Sequence, residues 1–140
     1  MIGEAEALIR AASLLAAPGR FQTEAAIQSL HAHQRMTAER FTEPLARLYD
    51  VLARFAPTTG VLVARAVAHA ENGAPASALR QLHDVQNGTK YQPWWAARAR
   101  VCWLAGDEDE AWAAARTAAG LSSDPSVRAF LLSGGFRRAK

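Results

Sequence analysis

Apolar residues recur every three or four positions along most of the chain, which is the spacing that places them on one face of an α-helix. The stretch from Leu45 through Leu48 and Leu52 to Phe55 follows this spacing, and Leu8 to Leu15 does so nearer the start. Proline, glycine and asparagine separate the stripes. The alternating pattern of a half-buried strand does not stand out anywhere, so the sequence predicts an all-α fold.

The breaks divide the chain into about eight predicted helical segments. Thr42 is a predicted N-cap, with Pro44 in the first turn, where its missing N–H has no consequence. Asp107 to Glu110 are acidic, which favours a helix start because of the helix dipole. In chain order the predicted segments are 2–17, 21–34, 42–55, 60–71, 76–85, 93–104, 107–119 and 125–133.

Part of the sequence repeats with an offset of 33 residues. A period of about 34, with small residues where the paired helices cross, is typical of tetratricopeptide repeats. We therefore predict a tetratricopeptide-like right-handed stack of antiparallel helix pairs, with seven or eight helices. The expected domain covers residues 1–133, and residues 134–140 are expected to form a basic flexible tail. The matching positions are Arg65, Ala66, Gly73 and Ala78, which recur as Arg98, Ala99, Gly106 and Ala111.

Composition limits the classes of function. Half of the 140 residues are apolar, which is enough for a packed core. The net charge is +3, but the arginines are mostly dispersed along the chain, whereas a DNA-binding surface collects them on one face. We therefore expect no sequence-specific DNA binding by this chain alone. The single cysteine, Cys102, cannot form an internal disulfide. Without a signal-peptide pattern or a run of about 18 apolar residues, we expect a cytoplasmic protein with no membrane partner.

A series of short motifs runs along nearly the whole chain in a set order. They are Gly19-Arg20-Phe21-Gln22-Thr23-Glu24-Ala25-Ala26-Ile27, Leu30-His31-Ala32, Leu48-Tyr49-Asp50, Ala56-Pro57, Arg65-Ala66-Val67-Ala68, Tyr91, Ala96-Ala97-Arg98-Ala99 and Gly106. In this order and spacing they resemble the tetratricopeptide-like C-terminal extension of extracytoplasmic-function (ECF) sigma factors. The resemblance implies a regulatory or protein-interaction module. Its implied partners are sigma factor segments, RNA polymerase or a small regulatory protein.

The chain departs from that family at several positions. Arg40-Phe41-Thr42 stands where the family usually has Thr-Asp-Trp, and Ala64 replaces an asparagine. After Tyr91 the family tends to have aliphatic residues, but this chain has Trp94, Trp95 and Trp103. A fourth tryptophan, Trp112, lies beyond that region. These changes indicate an altered surface. They motivate an alternative function, a free-standing small-molecule-binding protein or an enzyme recruited from the same scaffold.

Few residues suggest catalysis or metal binding. His31 and His33 point to different helix faces, whereas a helical metal pair needs a spacing of three or four. The acidic run at Asp107 to Glu110 is interpreted as a helix start, and Cys102 as a small buried side chain. We identify no catalytic motif, metal ligand set or cofactor site, so the sequence favours binding over catalysis.

Polar and aromatic residues within apolar helices form the candidate binding groove. Arg65 and Arg98 hold equivalent repeat positions, so we expect them to share a concave face. The alternative is an internal ion pair between Asp50 and Arg65. Trp95 and Trp103 are expected in the core, whereas Trp94 is expected at the surface. The groove candidates are Gln22, Glu24, His31, Tyr49, Asp50, Arg65, Tyr91, Trp94 and Arg98.

Overall fold

The structure, a computed structural model, describes residues 19–138, and they form seven α-helices. These residues contain no strand, which confirms the all-α prediction. None of their helices is long and apolar enough to cross a bilayer. The predicted helix over 2–17 lies outside the described residues. The helices are α1 (Arg20–Thr37), α2 (Thr42–Phe55), α3 (Thr59–Glu71), α4 (Pro75–His83), α5 (Gln92–Leu104), α6 (Glu108–Leu121) and α7 (Pro125–Leu132), with 3-10 turns at Gly88–Lys90 and Gly135–Arg137.

Side-chain caps begin three of these helices. The Thr58 hydroxyl accepts from the backbone N–H of Val61 at the start of α3. Asp107 and Asp124 cap α6 and α7 in the same way. The predicted cap at Thr42 is wrong, because Thr42 is the first residue of α2 and the chain enters that helix without a side-chain cap bond.

The two repeat units have matching environments. Each unit is a pair of contacting helices joined by a three-residue connection, α3 with α4 and α5 with α6, which indicates antiparallel packing. Gly73 and Gly106 turn the chain with φ of +90° and +86°, a conformation that L side chains rarely adopt. The small residues at the crossings are fully buried in both units, at Ala66, Ala78, Ala99 and Ala111. The right-handed tetratricopeptide-like stacking stays a prediction.

Helix α3 connects the two units, because it contacts α2, α4 and α5. One core cluster joins α3, α4 and α5 and includes Val63, Leu82 and Val101. A second cluster joins α1 to α2 around Leu30 and Leu48. The first two helices are thereby held against the repeat units through α3.

The expectation of a flexible tail from residue 134 is wrong for residues 134–138. Phe136 is 3% exposed, and its ring lies edge-on to Trp112 with 5.0 Å between ring centroids. Arg100 Nη1 donates to the backbone carbonyls of Phe136 and Arg138, at 3.0 and 2.7 Å. One apolar side chain and two satisfied carbonyls therefore attach this segment to the domain. Residues 139 and 140 lie outside the described part of the chain.

Candidate binding groove

A groove of about 710 Å³ lies where α1, α2 and α3 face α5 and the C-terminal segment. We call it the basic groove. Its apolar floor is formed by Leu45 of α2 and by Ala64, Val67 and Ala68 of α3. The α3 residues follow helical spacing and share one face of that helix. Because two of them are alanines, the face leaves open space that larger side chains would fill.

The same face of α3 ends at Glu71, which contacts two arginines in the basic groove. Arg40 Nη2 lies 3.3 Å from Glu71 Oε2, and Arg100 Nε lies 3.4 Å from Oε1. The side chain of Arg100 is 5% exposed and that of Glu71 is 17% exposed. Burial lowers the pKa of Arg100, and the neighbouring Glu71 carboxylate opposes that shift. A guanidinium nonetheless stays charged in proteins, so this is a largely buried ion pair.

Positive charge predominates around the groove. Among residues 19–138, four arginines line the groove, Arg35, Arg40, Arg100 and Arg138, together with one acid, Glu71. Elsewhere in the described part of the chain, three arginines pair with acids outside the groove: Arg20 with Glu24, Arg47 with Glu43 and Arg98 with Glu110. The groove is therefore suited to a negatively charged ligand.

His31 and Tyr49 form a hydrogen-bonded pair on the wall of the groove. His31 Nε2 lies 3.1 Å from the Tyr49 hydroxyl. Burial, followed by the charge of Arg35, lowers the pKa of His31 below its ordinary value, although Glu71 acts in the opposite direction. Burial and Glu71 raise the pKa of Tyr49. The imidazole and the phenol are therefore both mainly neutral at pH 7.

Asp50 and Arg65 form a second cluster that does not line the groove. Asp50 Oδ1 lies 2.9 Å from Arg65 Nε and 2.7 Å from His69 Nε2. The internal ion pair that the sequence left open is therefore present. The side chains of Asp50 and Arg65 are 38% and 34% exposed, so water screens this pair.

Arg98 has an acidic partner of its own, and the predicted concave face shared with Arg65 stays a prediction. Arg98 Nη2 lies 3.5 Å from Glu110 Oε2 on α6, and its guanidinium carbon lies 5.9 Å from the Trp94 ring centroid. The two equivalent arginines therefore choose different neighbours. Arg65 pairs with an acid of the preceding helix, Asp50, whereas Arg98 pairs with an acid of the following helix, Glu110.

The expected surface position of Trp94 is also wrong. Its side chain is 7% exposed, and its indole Nε1 donates to the Leu82 carbonyl at 2.8 Å. Gly88 makes this possible, because a Cβ there would overlap the indole ring. Trp95 and Trp103, which were expected in the core, are partly buried against it.

The remaining sequence candidates lie elsewhere. Gln22 is exposed, Glu24 pairs with Arg20 at 3.0 Å, and Tyr91 packs half-buried against the α3–α5 core. Of the candidates, His31 and Tyr49 line the basic groove. Within residues 19–138, no group of three His, Cys, Asp or Glu side chains is placed to hold a metal ion.

Sequence analysis missed the charged residues that define the groove, above all Arg100 and Glu71. A signal for Arg100 existed, because Arg100 stands 33 residues after Val67 and is its repeat equivalent. Both residues line the basic groove. Comparing the two repeat units at positions that are not identical would have paired Val67 with Arg100. The comparison would have shown that an apolar residue of one unit is replaced by a charged residue on the same face of the equivalent helix.

Comparison with known proteins gives one partial relative. An uncharacterized protein of Rhizobium meliloti (strain 1021) is 38% identical over 79 residues, which are 56% of this chain and 19% of that protein. The chain thus matches about a fifth of that relative's length. No family model matches the chain, and no solved structure matches it.

Proposed function

We propose that this chain is a protein-interaction module of the kind that extends ECF sigma factors at their C-terminus. Its basic groove binds a segment of a sigma factor, of RNA polymerase or of a small regulatory protein. The observation that carries the proposal is the groove itself, which α1, α2, α3, α5 and the C-terminal segment build together. A site assembled from so many elements depends on the helices being packed, as a recognition surface of a helical stack does.

The residues behind the family resemblance support this reading. His31 belongs to the motif Leu30-His31-Ala32, and Tyr49 belongs to Leu48-Tyr49-Asp50. Both side chains line the basic groove and contact each other. Tyrosine and arginine are also the residue types that contribute most often to binding energy at protein interfaces. The motifs and the groove therefore point to the same surface.

The partial relative is compatible with a module. The aligned region is about a fifth of that protein, so a sequence like this one occurs within a longer chain. In a sigma factor the extension would act beside DNA-reading domains, and the cytoplasmic location expected from the sequence suits that role.

Direct binding to defined partners tests the proposal. The chain is titrated calorimetrically with the promoter-reading domains of ECF sigma factors from the same genome and with core RNA polymerase. We expect one of them to bind with a Kd of about 1 μM or tighter. Tyr49→Ala should weaken that binding about tenfold or more, as loss of an interface anchor does.

Phe55→Ala is the matched control. Phe55 is also an aromatic residue of α2, is 48% exposed and does not line the groove. Its replacement should leave binding unchanged. Absence of binding to every partner would contradict the proposal, and so would equal effects of the two substitutions.

A small-molecule-binding protein is the second candidate, and the size of the groove favours it. Its volume of about 710 Å³ lies within the range of roughly 300–1,000 Å³ found for small-molecule sites. Thermal denaturation with a panel of small di- and tricarboxylates tests this candidate. A rise in Tm that Tyr49→Ala abolishes, without binding to any protein partner, would favour it over the interaction module.

A further inference from the structure

We propose that Trp103 and Trp112 form a second binding site, which takes the guanidinium group of an arginine and is occupied in this structure by the chain's own Arg137. We call it the indole site. Trp103 lies in the last turn of α5, and Trp112 lies on α6. Neither tryptophan lines the basic groove, so the inference does not rest on the proposed function.

The Arg137 side chain shows which chemical group the two indoles accommodate. Its guanidinium carbon lies over both rings, 5.1 Å from the ring centroid of Trp112 and 5.9 Å from that of Trp103. A cation within about 6 Å of a ring centroid is attracted by the negative face of the ring, and tryptophan attracts it more strongly than tyrosine or phenylalanine does. One guanidinium therefore interacts with two indoles at once.

Phe136 fixes the two indoles independently of Arg137. It is 3% exposed, and its ring centroid lies 5.0 Å from that of Trp112 and 6.3 Å from that of Trp103. The ring planes are inclined by 83° and 75°, which is a favourable arrangement for aromatic pairs. Because this buried ring stays in place, we expect the indole site to remain formed when the Arg137 side chain leaves it.

The Arg137 side chain is held only by weak contacts. The residue is exposed, and its Nε donates to the carbonyl of Gly134 at 3.4 Å, which is longer than the usual 2.7–3.2 Å. A cation–π contact at an exposed position is also a weak interaction. An arginine from outside the chain would make the same contacts with the indoles, so the exchange of one guanidinium for the other is nearly balanced.

Acidic residues beside Trp112 favour a cationic ligand further. Glu108 and Asp109 precede Trp112 by four and three residues, which is the spacing of neighbours on one helix face, and both are exposed. Their charges attract a guanidinium and repel a carboxylate. An arginine residue within another protein therefore suits the site better than the free amino acid, which carries its own carboxylate.

The test follows the indole N–H signals of the Arg137→Ala chain by NMR during a ligand titration. The ligands are N-acetyl-argininamide and N-acetyl-citrullinamide, which differ in that the citrulline side chain is uncharged. We expect the arginine derivative to shift the signals of Trp103 and Trp112, while that of the buried Trp94 stays in place. It should bind about fivefold more tightly than the citrulline derivative, because the citrulline derivative lacks the cation–π attraction.

Competition by Arg137 provides the matched comparison. We expect the arginine derivative to bind Arg137→Ala about fivefold more tightly than the original chain, in which Arg137 occupies the indole site. Arg54→Ala is the control, because it removes another exposed arginine, on α2 and outside the groove. Its affinity should lie within about twofold of the original chain. Arg137→Gln keeps a long side chain without the charge and should behave as Arg137→Ala does, even if alanine disturbs the turn Gly135–Arg137.

Free arginine is titrated in the same way to identify the source of the guanidinium. Tighter binding of the amide derivative assigns the indole site to an arginine residue of another protein, whereas equal or tighter binding of free arginine assigns it to the amino acid. Three outcomes would overturn the inference: equal affinity for the arginine and citrulline derivatives, equal affinity of Arg137→Ala and Arg54→Ala, or unchanged signals of Trp103 and Trp112.

Discussion

Asp50 and Glu71 each contact two basic side chains, but in different surroundings. Asp50 uses a single oxygen, Oδ1, for Arg65 and His69, at 2.9 and 2.7 Å. Glu71 uses one oxygen for Arg40 and the other for Arg100, at 3.3 and 3.4 Å. The Asp50 side chain is 38% exposed, whereas that of Glu71 is 17% exposed. The cluster with the shorter distances is therefore the more accessible one.

The difference shows that short distances alone do not identify the ion pair on which the fold depends. The side chains of Asp50 and Arg65 are each about a third exposed, so removing either leaves a charge that water can reach. Arg100 is almost entirely buried, and it contacts Glu71 on α3 as well as the carbonyls of Phe136 and Arg138. Removing it leaves the carbonyls of Phe136 and Arg138 without that donor, while Glu71 keeps its contact with Arg40.

The largest expected effect is that of Arg100→Ala. We expect it to lower the free energy of unfolding by about 3 kcal/mol, because it breaks a largely buried pair and leaves two carbonyls unsatisfied. Urea denaturation followed by circular dichroism measures the change. Arg98→Ala, on the same helix, is the control and should cost less than about 1 kcal/mol, since its pair with Glu110 is partly exposed. Similar losses for the two variants would remove the distinction between buried and exposed clusters.

A smaller effect is expected for Arg65→Ala. The loss should be about 1 kcal/mol, because the pair with Asp50 is more than a third exposed on the carboxylate side and His69 still contacts that carboxylate. The same urea denaturation measures it, with Arg47→Ala as a surface control whose pair with Glu43 is more exposed. A loss of about 3 kcal/mol or more would mean that the Asp50 cluster, rather than the Glu71 cluster, is the structural one.

The smallest effect concerns His31, which lies in the groove near Glu71. Its pKa in the folded chain is below the ordinary 6.5, first through burial and then through Arg35. Below pH 6.5 the unfolded chain therefore binds a proton more readily than the folded chain does. The contribution of His31 to stability is fully present above that pH, declines as the pH falls, and stops declining below the folded pKa.

Urea denaturation of the original chain and of His31→Gln between pH 8 and pH 5 measures this contribution. The stability of the original chain relative to the variant should decrease as the pH falls through 6.5. A constant difference across this range would show that His31 does not titrate differently in the folded and unfolded chains. A growing advantage of the original chain at acid pH would mean that the Glu71 carboxylate outweighs burial.

Local interactions explain why much of the fold could be predicted from the sequence. The acidic start of α6 and the turns at Gly73 and Gly106 depend on a few neighbouring residues. Thr42 was misplaced by one position for a related reason, since helix ends fray and are the least sharply encoded part of a helix. The predicted Asp50–Arg65 pair joins consecutive helices, so helix order alone brings it within reach.

The candidate site was harder to predict, because it depends on contacts that skip a helix. Glu71 and Arg100 meet only because α3 packs against α5, and they are 29 residues apart. Trp94 is buried because Gly88 leaves room for its ring beside the Leu82 carbonyl. Neither relation appears in a periodic pattern, since periodicity assigns a residue to a helix face without saying which neighbour covers that face.

The sequence by itself therefore determined the helices, their turns and the fully buried small residues of the repeat, including Ala66 and Ala99. These features follow from backbone propensity and from spacing along one helix, which act over a few residues. Only the tertiary structure decided that Arg100 pairs with Glu71, and that Phe136 packs against the domain. The reason is that side-chain partners depend on how whole helices pack, and packing joins residues whose separation in the chain carries no pattern.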